Sequence, residues 1–324
     1  MTERPSYILF ITDQQRYDHL GCNGHPVLCT PNIDAIAAEG VSHDRFYVAS
    51  PVCMPNRASL MTCRMPSSHG TRSLGIPLDY DNVTFVELLA SAGYDTCLIG
   101  KSHLQNVSDF DIQIEPTKHR EGFTAPPDSL NVATRSDLDN DTYQYERQAY
   151  WDKPNPKVPL PFYGFKEYFA VMRHGFNTGG DHLEWVKRNA PEILALRGRD
   201  KQFDHDFTAP QAIRTKVPEE HYSTTYIADR AVEWLEARRS NDKPFLLVVS
   251  FPDPHHPFTP PGKYWDMYKP ENMIVPAAYE IDDWDPPEYV KVAERDRAND
   301  PSLGQMEGYS LAISKQEALE VRAL

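Results

Sequence analysis

In the stretch SPVCMPNRASLMT, residues 50–62, a cysteine lies two residues before a proline and four before an arginine. Pro55 suits the first turn of a helix, where its missing N–H costs nothing, and Ala58, Ser59, Leu60 and Met61 can carry that helix on. Cys53 is therefore expected at or just before a helix amino end. Such an end offers unpaired backbone N–H groups and a positive partial charge, so it stabilises an anion or an oxygen becoming one. Arg57, one turn on, adds a fixed cation. Two chemistries suit the arrangement: an oxygen nucleophile whose charge is offset at the helix end, and a thiolate activated by that end and a histidine. The bland alternative is a small buried side chain that happens to precede a helix.

Other ionisable residues follow three apolar runs. Asp13 and Gln14 follow YILFIT (7–12); Gly100, Lys101, Ser102 and His103 follow YDTCLI (94–99); Asp253, Pro254, His255 and His256 come just after FLLVVSF (245–251). Each run reads as a buried strand. Helices fall between them. Thr30, Pro31, Ile33, Ile36 and Ala37 read as a cap, a first-turn proline and an apolar stripe ended by Gly40. Thr84 and Glu87 form a capping box before Leu88 and Leu89. Ile227, Ala231, Val232 and Leu235 mark a third helix face. Alternation of this kind predicts an α/β fold with a mostly parallel sheet and helices on both faces. In such sheets the ligand crevice lies outside the carboxyl ends of the strands, so the three polar clusters are expected to meet.

Between about residues 105 and 222 the pattern dissolves into a polar, proline-rich stretch that reads as an irregular insertion. Its Tyr143, Tyr145, Trp151, Phe162 and Tyr163 are expected either to wall a substrate pocket or to pack the insertion against the body. The run from Ile281 to Asp300 reads as an acidic solvated surface.

Composition narrows the function classes. The chain has 324 residues, 40% of them hydrophobic, and a formal net charge of -14, with Lys and Arg scattered. A sizeable core is expected, and nucleic-acid binding is not. The apolar run Tyr7 to Ile11 is too short for a signal peptide or a membrane span, which points to a cytoplasmic protein that does not cross a membrane. Five cysteines (Cys22, Cys29, Cys53, Cys63, Cys97), with no CxxC pair, argue for thiols rather than a disulfide framework or a zinc site.

Cys53, Pro55 and Arg57 match the C-x-P-x-R signature, and with Asp13-Gln14, TPNIDAIAAEGVSHDRFYVASPVCMPNRASLMT (30–62), His69-Gly70, AGYDTCLIGKSHL (92–104) and FLLVVSFPDPHHPF (245–258) the chain resembles the type I sulfatases of the alkaline phosphatase superfamily. The resemblance implies an alkaline-phosphatase-like fold and conversion of Cys53 to formylglycine by a formylglycine-generating or anaerobic sulfatase-maturating enzyme. It implies hydrolysis of a small-molecule sulfate monoester by the hydrated aldehyde. Asp13, Gln14 and the side chain of residue 53 would hold a divalent metal, Ca²⁺ ahead of Mg²⁺ or Mn²⁺. Arg57 would hold the diol, Lys101 would bind a non-bridging oxygen, and His103 and His255 would orient the diol or assist the leaving oxygen.

Gln14 stands where many sulfatases have aspartate. The Asp-Gln pair is similar to the subset that includes phosphonate monoester hydrolases, phosphodiesterases and choline-type sulfatases, so a phosphonate monoester or phosphodiester substrate stays open. Ser73, Leu74 and Gly75 occupy a segment where the family often has an asparagine. The later Asp-His pair that completes the family's metal site has no counterpart before Leu324, and Asp18-His19, Asp181-His182 and Asp204-His205 do not follow apolar strands. Residues 1–324 are accordingly read as an incomplete amino-terminal catalytic domain, expected to be weakly active or inactive. A non-catalytic anion-binding homologue and a thiol enzyme using unmodified Cys53 are the competing readings, and a homo-oligomer is left open.

Overall fold

The computed structural model describes residues 4–108, 121–122, 124, 138, 141–275, 285–305 and 313–324. Its described strands form a five-stranded sheet. The strands are β1 (Tyr7–Ile11), β2 (Asp95–Gly100), β3 (Glu167–Met172), β4 (Gly179–Gly180) and β5 (Phe245–Ser250), in the order β1-β5-β2-β3-β4. The first four in that order pair in parallel, and β4 returns antiparallel to β3. The α/β expectation with a mostly parallel sheet therefore holds. Register aligns the carboxyl ends: Ile11 and Gly100 both stand opposite Ser250, and Gly100 stands opposite Ala170 of β3. Whatever follows each strand emerges on one rim.

Alternation along the strands divides the core in two. Leu98, Leu246 and Val248 face α2 (Cys53–Thr62) and α4 (Phe85–Ser91), packing with Ala58, Met61, Val86, Phe162 and Phe165. Cys97, Ile99, Leu247 and Val249 face α7 (Ser223–Glu236), packing with Tyr226, Ile227, Ala231 and Trp234. Each aliphatic side chain so covered contributes about 1.5–3 kcal/mol relative to exposure. Val232, expected on the buried face of α7, is exposed, because the helix turns Ile227 and Ala231 inward instead.

Local signals in the sequence operate as expected. Thr84 accepts from the Glu87 N–H at 3.1 Å while the Glu87 carboxylate accepts from the Thr84 N–H at 2.8 Å, so the capping box of α4 is complete. α1 (Pro31–Glu39) begins at the predicted proline and stops at Gly40, and α3 (Pro66–His69) and α5 (Gln148–Trp151) are single short turns. At Gly100 a side chain is excluded: φ is +111° and a Cβ would stand 1.8 Å from the Ser250 carbonyl oxygen.

The region around 105–222 needs correction where it is described. It contributes β3 and β4 to the sheet, followed directly by α6 (Asp181–Asn189), so from residue 167 to 189 it is core architecture rather than an irregular insertion. The apolar run Tyr168–Met172 is short and sits between polar and proline-rich segments, which hides its strand period. Of the aromatics, Tyr143, Trp151, Phe162 and Tyr163 are buried, and Tyr80 stacks on Tyr163 at 4.3 Å, so these rings pack the segment to the body. Of the expected acidic surface, 281–284 lie outside the described residues, and Glu288–Asn299 forms α8. Among the described residues no helix is long and apolar enough to cross a membrane.

Candidate active site

Cys53 is the first residue of α2, with Pro55 in the first turn, and Asn56 N–H closes the first helical bond to the Val52 carbonyl at 3.0 Å. The side chain of Cys53 is half-buried and opens onto a cavity of about 530 Å³, lined also by Asp13, Gln14, Asn56, Arg57 and His255. None of the five cysteines is in a disulfide.

Arg57 is held from behind. Its Nη1 donates to the Lys101 carbonyl at 2.7 Å and to Ser250 Oγ at 2.9 Å, both at strand carboxyl ends, and its Nη2 lies 3.7 Å from Asp13 Oδ2. The guanidinium is thereby fixed in place beside the cavity. Asp13 leaves β1 with its N–H bonded to the Asp253 carbonyl at 3.0 Å. Its carboxylate receives the Lys101 ammonium and lies 3.5 Å from His174 Nε2. Burial pushes the Asp13 carboxyl up, but its contacts with His174, Lys101 and Arg57 outweigh it and hold the group far below the usual carboxylate range.

Lys101 is only 2% exposed and sits behind Asp13 rather than on the cavity wall, with Nζ also donating to His174 Nε2 at 2.5 Å. His103 lies deeper, buried, with a positive φ of 55° and no partner for Nδ1 among the described residues. Burial, then the Lys101 and Arg57 charges, push its pKa well below 6.5. His255 lines the cavity, and its ring stacks on His174 at 3.6 Å and 7° and on His256 at 4.2 Å. Burial, then Lys101, lower its pKa to about 4, which leaves the ring neutral near pH 7. Its Nδ1 bonds to the His256 carbonyl, while His256 Nδ1 donates to Gln14 Oε1 at 3.2 Å.

All the residues singled out in the sequence thus lie on one rim, in two layers. Asp13, Gln14, Cys53, Arg57 and His255 meet at the cavity, and Lys101 and His103 stand behind them. His174 was missed. It comes two residues after β3, so the strand-end rule would have found it had β3 been recognised.

Asp13 and Gln14 offer oxygens of the kind hard cations prefer, yet Asp13 is already matched to Lys101 and Arg57. Among the described residues no group of three His, Cys, Asp or Glu side chains could hold a metal. The two side chains offer at most three oxygens, short of the roughly six to eight that Ca²⁺ takes, so these residues alone do not make a cation site.

The profile of the sulfatase family matches residues 5–157 and 170–307. An arylsulfatase of Clostridium perfringens is 28% identical over 283 residues, 87% of this chain and 49% of that protein. Human arylsulfatase A is 41% identical over 108 residues, 31% of this chain and 21% of that protein. The phosphonate monoester hydrolase of Agrobacterium radiobacter shares the fold, with a TM-score of 0.61 and 22% identity over 99% of this chain and 55% of that one. The chain spans about half the length of the curated relatives it matches most widely.

Proposed function

The chain belongs to the sulfatase family of the alkaline phosphatase superfamily, and from that premise we propose that it carries the nucleophile-bearing part of a sulfate monoester hydrolase. One observation carries the reading: Cys53 opens from the start of α2 onto a cavity it shares with Asp13, Arg57 and His255. Converted to formylglycine by a maturating enzyme, residue 53 supplies a hydrated aldehyde whose oxygen displaces the alcohol from sulfur. Arg57, immobilised by Lys101 and Ser250, offsets charge at that oxygen, and the first N–H groups of α2 act in the same direction. His255, a neutral donor or acceptor near pH 7, orients the diol or the leaving oxygen. Lys101 holds the Asp13 carboxylate from behind the cavity; its bonds to Asp13 and His174 use two of its three N–H groups, and the third is available to a non-bridging oxygen. A divalent cation at Asp13 and Gln14 belongs to the family pattern, but the chain's own cations carry the charge stabilisation in this reading.

A phosphonate monoester or phosphodiester is the second reading. It is favoured by the Asp13-Gln14 pair, similar to that of the subset that includes phosphonate monoester hydrolases; the one Lys or Arg among the described lining residues, Arg57, matches a singly charged phosphonate as well as a singly charged sulfate monoester. Steady-state hydrolysis of p-nitrophenyl sulfate and p-nitrophenyl phenylphosphonate by protein coexpressed with a formylglycine-generating enzyme separates the two. Weak turnover with a higher kcat/KM for the sulfate is expected, preference for the phosphonate selects the second reading, and turnover of neither ester contradicts both.

A further inference from the structure

The loop after β2 carries Lys101 and His103 through buried ground: Lys101 through Asn106 are all buried. Backbone N–H groups there need partners, and His103 must be held in the left-handed region that a side chain of its size rarely adopts. The restraint comes from Glu146, 1% exposed and far away in sequence. Its Oε1 accepts from His103 N–H at 2.8 Å and from Tyr168 O–H at 3.3 Å, and its Oε2 accepts from Gln105 N–H at 2.6 Å. Gln105 answers in the other direction. Its Oε1 accepts from Tyr145 N–H at 2.9 Å, and its Nε2 donates to Tyr80 O–H at 3.0 Å and to the Thr142 carbonyl at 3.4 Å. On the far side the Leu104 carbonyl accepts from Leu78 N–H at 2.8 Å.

A carboxylate bridging two amides two residues apart fixes the rotation of the peptide units between them, and therefore the direction of the intervening side chains. Burial opposes ionisation of Glu146, while the two amides, the Tyr168 hydroxyl and the Arg57 charge favour it. The cost of a buried charge is borne for geometry that a neutral glutamine cannot reproduce, because its amide nitrogen would face one of the two N–H donors.

We infer that Glu146 is a positioning residue for the reaction: its carboxylate clamps the backbone of His103 and Gln105 and so aims His103 at the site. The inference rests on the hydrolase reading for the role of His103, but the clamp itself can be tested without turnover. In histidine-labelled protein the His103 imidazole nitrogen resonances, assigned by their loss in His103→Ala, should shift or broaden in Glu146→Gln, while those of His69 stay in place. An unchanged His103 spectrum overturns the inference whether or not the protein hydrolyses esters.

With turnover, Glu146→Gln should lower kcat about 10–100-fold, as loss of a supporting hydrogen bond does at comparable sites, with KM changed by less than about threefold. Formylglycine content should be unaltered. In a His103→Ala background the same substitution should cost nothing further. Additive losses in the double variant, or a loss confined to melting temperature with kcat per folded molecule intact, would show a merely structural carboxylate. Absence of turnover in fully converted wild-type protein would count against the hydrolase reading alone.

Discussion

Strands β5 and β1 lie side by side and are both apolar, yet Leu247, Val248 and Val249 of β5 are buried while Tyr7, Ile8 and Phe10 of β1 are exposed, Phe10 to 59%. The contrast extends outward. α2, α4 and α7 cover β2 and β5 on both faces, whereas α1 buries none of its residues and leaves Ile36 65% exposed, and Tyr47 is 83% exposed. An apolar run alone therefore does not decide burial; what decides it is whether another layer reaches that strand. The cavity lies along this divide. Its wall at Val48, Pro51 and Val52 comes from the exposed flank, and the groups fixed behind it, Lys101, His103, His174 and Glu146, come from the covered one.

The sharpest test of the contrast is a matched pair of truncations. Leu98→Ala on β2 should cost about 2–5 kcal/mol, the range for a buried leucine whose cavity cannot collapse, whereas Phe10→Ser on β1 should stay within about 0.5 kcal/mol. Urea unfolding midpoints of the two variants decide it. Similar losses would mean that β1 is covered in solution.

A smaller effect follows from the histidines of the covered side. His69 is buried, its Nδ1 accepts from Thr71 N–H at 3.1 Å and its ring bonds Ser59 Oγ at 2.9 Å. Burial, then the Arg64 charge, lower its pKa to about 4. Below an unfolded value of 6.5 the unfolded chain takes up a proton that the folded chain refuses. Its contribution is therefore intact above pH 6.5 and is lost as pH falls toward 4, at up to about 1.4 kcal/mol per pH unit. Urea midpoints measured between pH 7 and pH 5 should fall more steeply for wild type than for His69→Gln. Equal slopes would place the titration elsewhere.

Elements coded by neighbouring residues were legible in the sequence: the capping box at Thr84 and Glu87, the proline start of α1, the strands ahead of Asp13, Lys101 and Asp253. Convergence of those polar clusters followed from the geometry of parallel sheets. Features that depend on distant chain were not legible. Nothing around Lys101 says that its ammonium turns to Asp13 and His174, since ion pairing is settled by tertiary approach. Glu146 and His174 lie in a segment without clear period, so no local pattern marks them. The exposed flank was misread for the same reason: YILFIT has the composition of a buried strand, but its cover is not encoded in those six residues.

The claim that a group other than the thiol attacks the ester is tested most directly on the tryptic peptide spanning 46–57. Protein coexpressed with a formylglycine-generating enzyme should carry an aldehyde at residue 53, and hydrolysis of p-nitrophenyl sulfate should rise in proportion to the converted fraction across preparations. Equal hydrolysis by preparations whose Cys53 remains a thiol would contradict it.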